Sequence, residues 1–155
     1  MEPEVIKFAG VRNAYSFLSN FYPALFLYDG EKWTSSEHAY QAAKTLIPAQ
    51  RKEVQDAPTP GKAKRLGRTV TLRSDWNQVR AQVMLDICMA KFGQNPELGK
   101  LLVATGDAIL VEHTPWKDYY WGDGGDGTGQ NKLGMVLMAV RSFLYANRGT
   151  EDDQG

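Results

Sequence analysis

The sequence is poor in the residues on which several kinds of site depend. Its 155 residues include one cysteine, Cys88, and two histidines, His38 and His113. One cysteine cannot form an internal disulfide, so the expected compartment is a reducing cytoplasm. With so few thiols and imidazoles, a catalytic zinc ion is poorly supported, and we expect no metal in the site.

The chain also has no excess of charge and no long apolar run. Lys and Arg number 18, as do Asp and Glu, so the formal net charge is zero. A general nucleic-acid coat would need a basic excess, although a local basic pocket stays compatible with this balance. The first residues, MEPEVIKFAG, lack the apolar core of a signal peptide. No segment approaches the roughly 18–20 apolar residues of a membrane span.

The composition is that of one ordinary globular domain. Apolar residues make up 43% of the chain and aromatic residues 11%, and a domain typically has roughly 100–200 residues. We predict a single domain over residues 1–148. The remaining residues, 149–155, are polar and acidic with nothing to bury, which predicts a disordered tail.

Periodicity and capping signals predict more helix than strand. Asp29-Gly30 favours a type I′ hairpin turn, and Thr34-Ser35-Ser36 offers N-cap oxygens. No regular alternation of strand and helix occurs, so the predicted class is α+β, mainly helical with a few short strands. The predicted strands are Val5–Phe8, Leu25–Tyr28 with Lys32–Trp33, and Ile109–Val111; the predicted helices are Glu37–Leu46, Pro60–Gly67, Ser74–Phe92, one opening at Asn95-Pro96, and one through Leu133–Leu144.

Several familiar motifs are excluded by their context. Gly122, Gly124 and Gly127 match G-x-G-x-x-G, but no β-α-β unit surrounds them and no acidic residue follows at the required distance. A calcium loop starting at Asp123 would place its bidentate glutamate at Gly134. The chain has no P-loop lysine motif and no nucleophile elbow.

Three polar residues of one predicted helix share a face. Glu37, Gln41 and Lys44 stand at i, i+4 and i+7, so their polar ends converge. A solvated face with an ion pair is the alternative interpretation. Glu37 lies in the first turn, where the helix dipole favours its charged form, and small alanines surround the other two. His38 is assigned a structural role.

Two further segments combine aromatic residues with groups that could bind an anion. Residues 112–134 contain Trp116, Trp121 and six glycines between residues 122 and 134, and glycines let a backbone approach a ligand closely. An ordinary flexible loop is the alternative. Arg68 and Arg73 could clamp a phosphate and Trp76 could stack on a ring. Alternatively, the arginines form surface ion pairs and Trp76 belongs to the core.

Together these segments resemble the YbiA-like, or NADAR, family, whose name stands for NAD and ADP-ribose. The resemblance runs in order from about Ile6 to Leu144, nearly the whole chain. It rests on Phe17-Leu-Ser-Asn-Phe-Tyr-Pro23, on Thr34-Ser-Ser-Glu-His-Ala-Tyr-Gln-Ala-Ala-Lys44, on Gly67-Arg68 with Leu72-Arg73 and Trp76, and on Tyr120-Trp-Gly-Asp-Gly-Gly-Asp-Gly-Thr-Gly-Gln-Asn-Lys-Leu-Gly134.

The resemblance implies a small α+β hydrolase, an N-glycosidase that cleaves the bond between ribose C1′ and an exocyclic amine. The leading substrate it implies is an ADP-ribosylated guanine, carried on DNA or RNA, from which ADP-ribose is removed. The alternative substrate is a ribosylamino-pyrimidine phosphate of riboflavin biosynthesis. A non-catalytic module that binds ADP-ribose or NAD derivatives is an alternative of another class, and a structural partner domain is a third. No cofactor is expected, because this hydrolysis needs neither a metal nor a redox group.

The resemblance also implies roles for individual residues. Glu37 is expected to be the general acid/base, and Lys44 either its electrostatic partner or a Schiff-base nucleophile. Asp118 is expected to be a second carboxylate that holds ribose hydroxyls or water. Expected ligand contacts are Asn20, Phe21, Gln41, Gly67, Arg68, Trp76, Trp121 and Gly122, with Gly127, Gly129, Asn131 and Lys132 holding phosphate through backbone N–H groups, the helix N-terminus and the lysine charge.

Overall fold

The structure, a computed structural model, describes residues 2–11 and 13–152. Within these residues, helices dominate and the strands are short, so the predicted α+β class is confirmed. The helices are α1 (Ser36–Ala43), α2 (Pro48–Gln55), α3 (Pro60–Gly67), α4 (Trp76–Gln94), α5 (Pro96–Ala104) and α6 (Lys132–Asp152); the strands are β1 (Val5–Phe8), β2 (Phe26–Tyr28), β3 (Glu31–Trp33) and β4 (Ile109–Glu112).

The chain forms two compact units. One combines the two ends of the chain, up to Ser19 and from Asn95 onward, and the other is the continuous segment Asn20–Gln94. We call them the terminal unit and the central unit. The predicted single domain over residues 1–148 stays a prediction.

The terminal unit is built on two parallel strands covered by helices. β1 pairs with β4, with Val5 opposite Ile109 and Phe8 opposite Glu112. α6 packs against β4 and against α5. The apolar positions that face inward are buried: Ile6 and Phe8 of β1, Leu110 of β4, and Leu133, Leu137 and Val140 of α6. This burial of alternate strand residues and of one helix face holds the unit together.

The last helix extends past residue 148, where the predicted disordered tail begins, and the disorder of that tail stays a prediction. α6 continues through Gly149 to Asp152, whereas the prediction ended the domain at residue 148. One glycine inside a helix costs only about 1 kcal/mol relative to alanine, so Gly149 does not end α6. Residues 153–155 of the predicted tail lie outside the described residues.

The central unit is organised around α1. α2, α3 and α4 contact this helix, and β3 reaches it as well, while β2 packs on α4. The predicted hairpin is confirmed: β2 and β3 are antiparallel, and Asp29 and Gly30 both adopt positive φ in the turn. Every residue of α1 is buried, so its polar side chains must find partners within the protein.

The helix boundaries differ from the prediction around Pro48. α1 ends at Ala43 rather than Leu46, and Lys44 is its C-cap. Pro48 does not merely end a helix, because it is the first residue of α2, which the sequence analysis missed. Proline is favoured at the first helical position, where no backbone N–H is needed, so the same residue separates two helices.

A fully buried lysine makes the stability of the central unit depend on pH. Lys91 is 1% exposed, and its ammonium lies 4.8 Å from the ring centre of Phe92 and 5.9 Å from that of Tyr22. Burial lowers the pKa of Lys91 from 10.5 to about 8, although the nearby Cys88 thiol opposes this change. Removing an ammonium from water disfavours its charged form.

We therefore expect the free energy of unfolding to rise with pH above about 8. In that range the folded protein has lost the Lys91 proton that the unfolded chain keeps, so the slope approaches about 1.4 kcal/mol per pH unit. Urea unfolding from pH 7 to pH 10 measures it. Lys91→Met should lack this slope and Lys52→Met, at an exposed position, should retain it. Parallel curves for wild type and Lys91→Met would contradict the assignment.

Candidate active site

The N-terminus of α1 is fixed by its cap, Ser35, and by His38, the third residue after the cap. The Ser35 hydroxyl accepts from the backbone N–H of His38 at 3.1 Å and lies 2.6 Å from His38 Nδ1. His38 Nε2 lies 2.9 Å from the carbonyl oxygen of Ala57. A carbonyl can only accept, so Nε2 carries the proton and Nδ1 accepts from the serine. His38 thus joins the start of α1 to the segment that follows α2, in agreement with its predicted structural role.

Glu37 is a buried carboxylate in the first turn of α1. It is 7% exposed, and its backbone N–H donates to the carbonyl oxygen of Asn20 at 3.0 Å. Gln41, one turn later, donates through Nε2 to Glu37 Oε1 at 2.8 Å. A buried carboxylate needs such a donor and gains from the positive end of the helix dipole. The predicted convergence of Glu37 and Gln41 is therefore present, but inside the protein.

The Asn20 side chain is turned toward the first turn of α1. Its Oδ1 accepts from the hydroxyl of Ser36 at 2.9 Å, and its Nδ2 lies 3.6 Å from the sulfur of Met84. Ser36, directly before Glu37, was predicted only as a possible N-cap, and its contact with Asn20 was not predicted. These contacts hold the chain that enters the central unit beside the carboxylate. A ribose contact by Asn20 stays a prediction.

Lys44 lies at the other end of α1, and its amine interacts with the charge of Glu37. Burial lowers the pKa of Lys44; the charge of Glu37 raises it, while Arg68 and Lys64 lower it. The net direction is downward, toward a larger fraction of neutral amine. The Lys44 ammonium lies 5.7 Å from the ring centre of Tyr40, and its carbonyl oxygen accepts from the backbone N–H of Arg73 at 2.7 Å.

Aromatic rings stand on the side of α1 that carries Lys44. Tyr40 and Trp76 are both buried, with ring centres 5.2 Å apart and a tilted arrangement. Tyr40 was missed, although its position four residues before Lys44 places it on the same helix face. The Lys64 ammonium lies 5.9 Å from the ring centre of Phe21. The stacking role of Trp76 and the ring contact by Phe21 stay predictions.

Gly67, at the end of α3, lies directly against Gln41. A Cβ at position 67 would stand 1.9 Å from Gln41 Oε1, so glycine is required for this approach. Gly67 is buried, whereas Arg68 after it is exposed. The central unit therefore contains eight of the predicted site residues: Asn20, Phe21, Glu37, Gln41, Lys44, Gly67, Arg68 and Trp76.

The other predicted site residues belong to the loop between β4 and α6 in the terminal unit. Asp118 Oδ1 accepts from the backbone N–H groups of Tyr120 and Trp121 at 3.1 and 2.9 Å. The Trp121 ring packs edge-on against Tyr120 with centres 4.8 Å apart. Gly122 is buried against the side chain of Thr114. These contacts order the loop, and the catalytic role of Asp118 stays a prediction.

The glycine-rich part of this loop uses its backbone donors internally. The N–H groups expected to hold phosphate donate to carbonyl oxygens of the loop: Gly127 and Gly129 to Asp123 at 3.1 and 2.9 Å, Asn131 to Gly122 at 3.0 Å and Lys132 to Tyr120 at 3.0 Å. The Asn131 side chain bridges Leu110 and Glu112 of β4. These N–H groups thus donate within the loop, and the expected binding of phosphate by Gly127, Gly129, Asn131 and Lys132 stays a prediction.

Asp123, which the sequence analysis did not select, is the centre of the loop. It is 4% exposed, and it accepts from His113 Nδ1 at 2.9 Å, from the backbone N–H of Thr114 at 3.0 Å and from that of Gly125 at 2.8 Å. Burial raises the pKa of Asp123, but these three donors outweigh it and hold the pKa at about 2.

Asp123→Asn should lower the free energy of unfolding at pH 7 by about 2 kcal/mol, because an amide replaces an acceptor of charge-assisted bonds. The contribution of Asp123 is complete above the ordinary pKa of 3.8 and is lost as the pH falls toward about 2. Thermal unfolding from pH 2 to pH 7 measures both effects. Asp126→Asn is the matched control, since Asp126 is exposed in the same loop, and an equal loss in both variants would contradict the prediction.

Neither a membrane-spanning helix nor a metal-binding cluster is found among the described residues. Among residues 2–11 and 13–152, no helix has the length and apolar character that crossing a membrane requires. No group of three or more His, Cys, Asp or Glu that could hold a metal occurs within the same part of the chain.

Comparison with protein families identifies the class of this protein. The family model of the NADAR domain matches residues 7–145. The chain therefore belongs to the NADAR family, and the resemblance inferred from its motifs is confirmed.

Individual relatives agree with this assignment over most of their length. The N-glycosidase YbiA of Escherichia coli (strain K12) is 43% identical over 146 residues, which cover 93% of this chain and 91% of that protein. An N-glycosidase of Nostoc punctiforme is 37% identical over 148 residues, covering 90% and 92%. The NMR structure of E. coli YbiA matches with a TM-score of 0.86 at 42% identity, covering 96% of this chain and 89% of that one. The chain is thus an enzyme of the hydrolase class.

A third relative is a longer protein. A riboflavin biosynthesis protein of Vibrio vulnificus is 46% identical over 132 residues, which cover 84% of this chain and 36% of that protein.

Proposed function

We propose that this protein is an N-glycosidase that hydrolyses the bond between ribose C1′ and an exocyclic amine, and that it removes ADP-ribose from ADP-ribosylated guanine. The pair formed by Glu37 and Lys44 carries the proposal. A buried carboxylate and a half-buried amine of lowered pKa act on each other at the two ends of one short helix. Perturbed titratable groups of this kind are typical of catalytic sites.

One route runs through an oxocarbenium-like state. For this route Glu37 takes up a proton before the reaction and donates it as an acid to the departing amine, and the C1′–N bond breaks with its electron pair on the nitrogen. The resulting carboxylate stabilises the positive charge at C1′ and takes a proton from the water that adds there. Lys44 in this route balances the charge of Glu37.

The second route uses Lys44 as a nucleophile. The ribose ring opens, so that C1′ forms an imine with the exocyclic nitrogen and the ring oxygen takes a proton. The neutral Lys44 amine adds to C1′, both Nζ protons pass in turn through Glu37 to the leaving nitrogen, and the C1′–N bond to the base breaks to leave a free amine on the base. Water then adds to the C1′–Lys44 imine and releases the ribose aldehyde and the free amine. No oxidant or reductant takes part.

The charges around Glu37 and Lys44 favour a substrate with a diphosphate. The charged groups that act on Lys44 comprise one anion, Glu37, and two cations, Lys64 and Arg68. Together with Lys44 itself, they make a local positive excess in a chain of zero net charge. Lysine and arginine are the usual partners of phosphate oxygens. The positive excess should therefore attract a diphosphate more strongly than a monophosphate.

A ribosylamino-pyrimidine phosphate is the second candidate substrate. It contains the same C1′–amine bond, so Glu37 and Lys44 would act on it by the same steps. The names of the riboflavin biosynthesis proteins from Vibrio vulnificus and maize, 46% and 34% identical to this chain, favour this candidate.

Parallel incubations test the proposal. A guanine-ADP-ribosylated oligonucleotide and a ribosylamino-pyrimidine phosphate are supplied separately, and mass spectrometry follows the released products. We expect unmodified oligonucleotide and free ADP-ribose, with kcat/KM about tenfold or more above that for the monophosphate. The reverse order of kcat/KM would select the second candidate, and no product from either substrate would overturn the proposed function.

A further inference from the structure

We infer that Gln41 and Gly67 form a positioning pair, in which Gly67 leaves the space that lets the Gln41 amide hold the Glu37 carboxylate in its reactive orientation. The inference rests on the proposed function, because it explains how Glu37 is aimed. It also changes the predicted role of Gln41 and Gly67, from contacts with the ligand to support of the acid/base.

The first observation is that the nitrogen of the Gln41 amide has a hydrogen-bond partner and its oxygen has none in the part of the chain that the structure describes. The side chain is 4% exposed, and its Nε2 donates to Glu37 Oε1 at 2.8 Å. Its Oε1 is buried and has no hydrogen-bond partner among the described residues. A buried acceptor without a donor is costly, about 1–3 kcal/mol, and such groups are rare. The bond to the carboxylate compensates for this cost, since bonds to charged groups are the stronger ones.

The orientation of the amide follows from the charge of Glu37. An ionised carboxylate can only accept, so Gln41 must present its nitrogen to it. The amide oxygen is then directed to the opposite side, toward α3. Any donor placed there would give Oε1 a partner, but it would also draw the amide toward α3 and away from Glu37.

The second observation is that α3 has no room for a side chain at Gly67, the position next to this oxygen. A Cβ at Gly67 would stand 1.9 Å from Gln41 Oε1 and 2.7 Å from its Cδ. Any residue other than glycine would therefore move the amide. Gly67 has no positive φ that would itself require glycine. The conformation of the backbone does not explain the glycine, whereas contact with Gln41 does.

The α3 helix provides its own matched control. Gly61 lies in the same helix, and a Cβ there meets no atom within 4 Å. Both Gly61→Ala and Gly67→Ala replace a helical glycine, which by helix propensity alone favours the variant. The two changes differ in the contact with Gln41, so a difference in their activity reports on that contact.

The kinetic test compares Gln41→Met, Gly67→Ala and Gly61→Ala with wild type. Loss of orientation should lower kcat about 10- to 100-fold in the first two variants with KM changed less than about threefold. Gly61→Ala should retain wild-type kcat. If Gln41→Met instead raises KM and leaves kcat unchanged, Gln41 is a ligand contact and the inference is wrong.

A second measurement needs no substrate. The Gln41 side-chain NH2 signals in a ¹⁵N NMR spectrum, assigned by their loss in Gln41→Met, should exchange slowly with solvent because one N–H is bound to Glu37. We expect Gly67→Ala and Glu37→Ala to shift these signals and speed their exchange, and Gly61→Ala to leave them unchanged. Unchanged Gln41 signals in Gly67→Ala would contradict the inference that Gly67 positions the Gln41 amide.

The two measurements separate the possible failures. If wild type turns over neither substrate, the proposed function fails, while the NMR comparison still decides whether Gly67 holds the Gln41 amide. If Gly67→Ala does not fold, Gln41→Met carries the kinetic test, and the Glu37→Ala spectrum tests the contact between the two side chains.

Discussion

Replacing Glu37 with glutamine is expected to lower kcat by about 10²- to 10⁴-fold, the usual contribution of a positioned acid/base. Glutamine has nearly the same size and can fill the same buried space, but it cannot donate and regain a proton. The KM for the ADP-ribosylated oligonucleotide should therefore change much less than kcat. Steady-state kinetics with product detection by mass spectrometry measure both constants.

Glu53→Gln is the matched control for this experiment. Glu53 is an exposed glutamate of α2, so the same substitution there changes the net charge equally without touching the site. It should retain wild-type kcat. Circular dichroism must show that Glu37→Gln is folded, because a carboxylate inside α1 also contributes to stability. A folded Glu37→Gln enzyme with full activity would remove Glu37 from the mechanism.

The Lys44→Arg variant is expected to lose kcat by about 10³-fold or more, if the amine forms the imine with C1′. Arginine keeps the positive charge but cannot act as a nucleophile at neutral pH, because its guanidinium group stays protonated. In wild type, borohydride added during turnover should reduce the imine and leave a ribose adduct on the peptide that contains Lys44. Peptide mass spectrometry locates the adduct.

Two controls separate this adduct from chance modification by the released sugar. Lys52→Arg changes an exposed lysine of α2 and should keep both activity and the adduct on Lys44. Wild type incubated with free ADP-ribose and borohydride gives the background. Absence of any adduct, together with an active Lys44→Arg enzyme, would exclude the covalent route and leave Lys44 as the electrostatic partner of Glu37.

Local signals predicted much of the central unit. The Asp29-Gly30 turn and the limits of α3 depend on nearby residues, and the structure has them as predicted. The N-cap of α1 is Ser35, one of the three residues Thr34-Ser35-Ser36 that were predicted to offer cap oxygens. The α2 helix was missed because Pro48 was interpreted only as a stop, although proline also begins helices. Spacing along one helix was sufficient to bring Glu37 and Gln41 together.

The remaining features depend on contacts between distant segments. A polar helix face looks the same in sequence whether it is solvated or buried, so the complete burial of α1 could not be predicted from periodicity. The loop before α6 closes on carbonyl oxygens of Asp123 and Gly122. Such bonds form only when the loop has folded back on itself, and glycine content alone does not show which backbone donors are already used.

The burial of α1 also bears on how the substrate range of this enzyme could be redesigned. Saturation mutagenesis of α1 would return mostly unfolded variants, because none of its eight residues faces solvent. The neighbouring α3 carries exposed or half-buried basic residues, including Lys64, and is followed by the exposed Arg68. We expect a directed-evolution library restricted to these two positions to yield folded variants, in which both the preference for phosphate groups and the pKa of Lys44 would change.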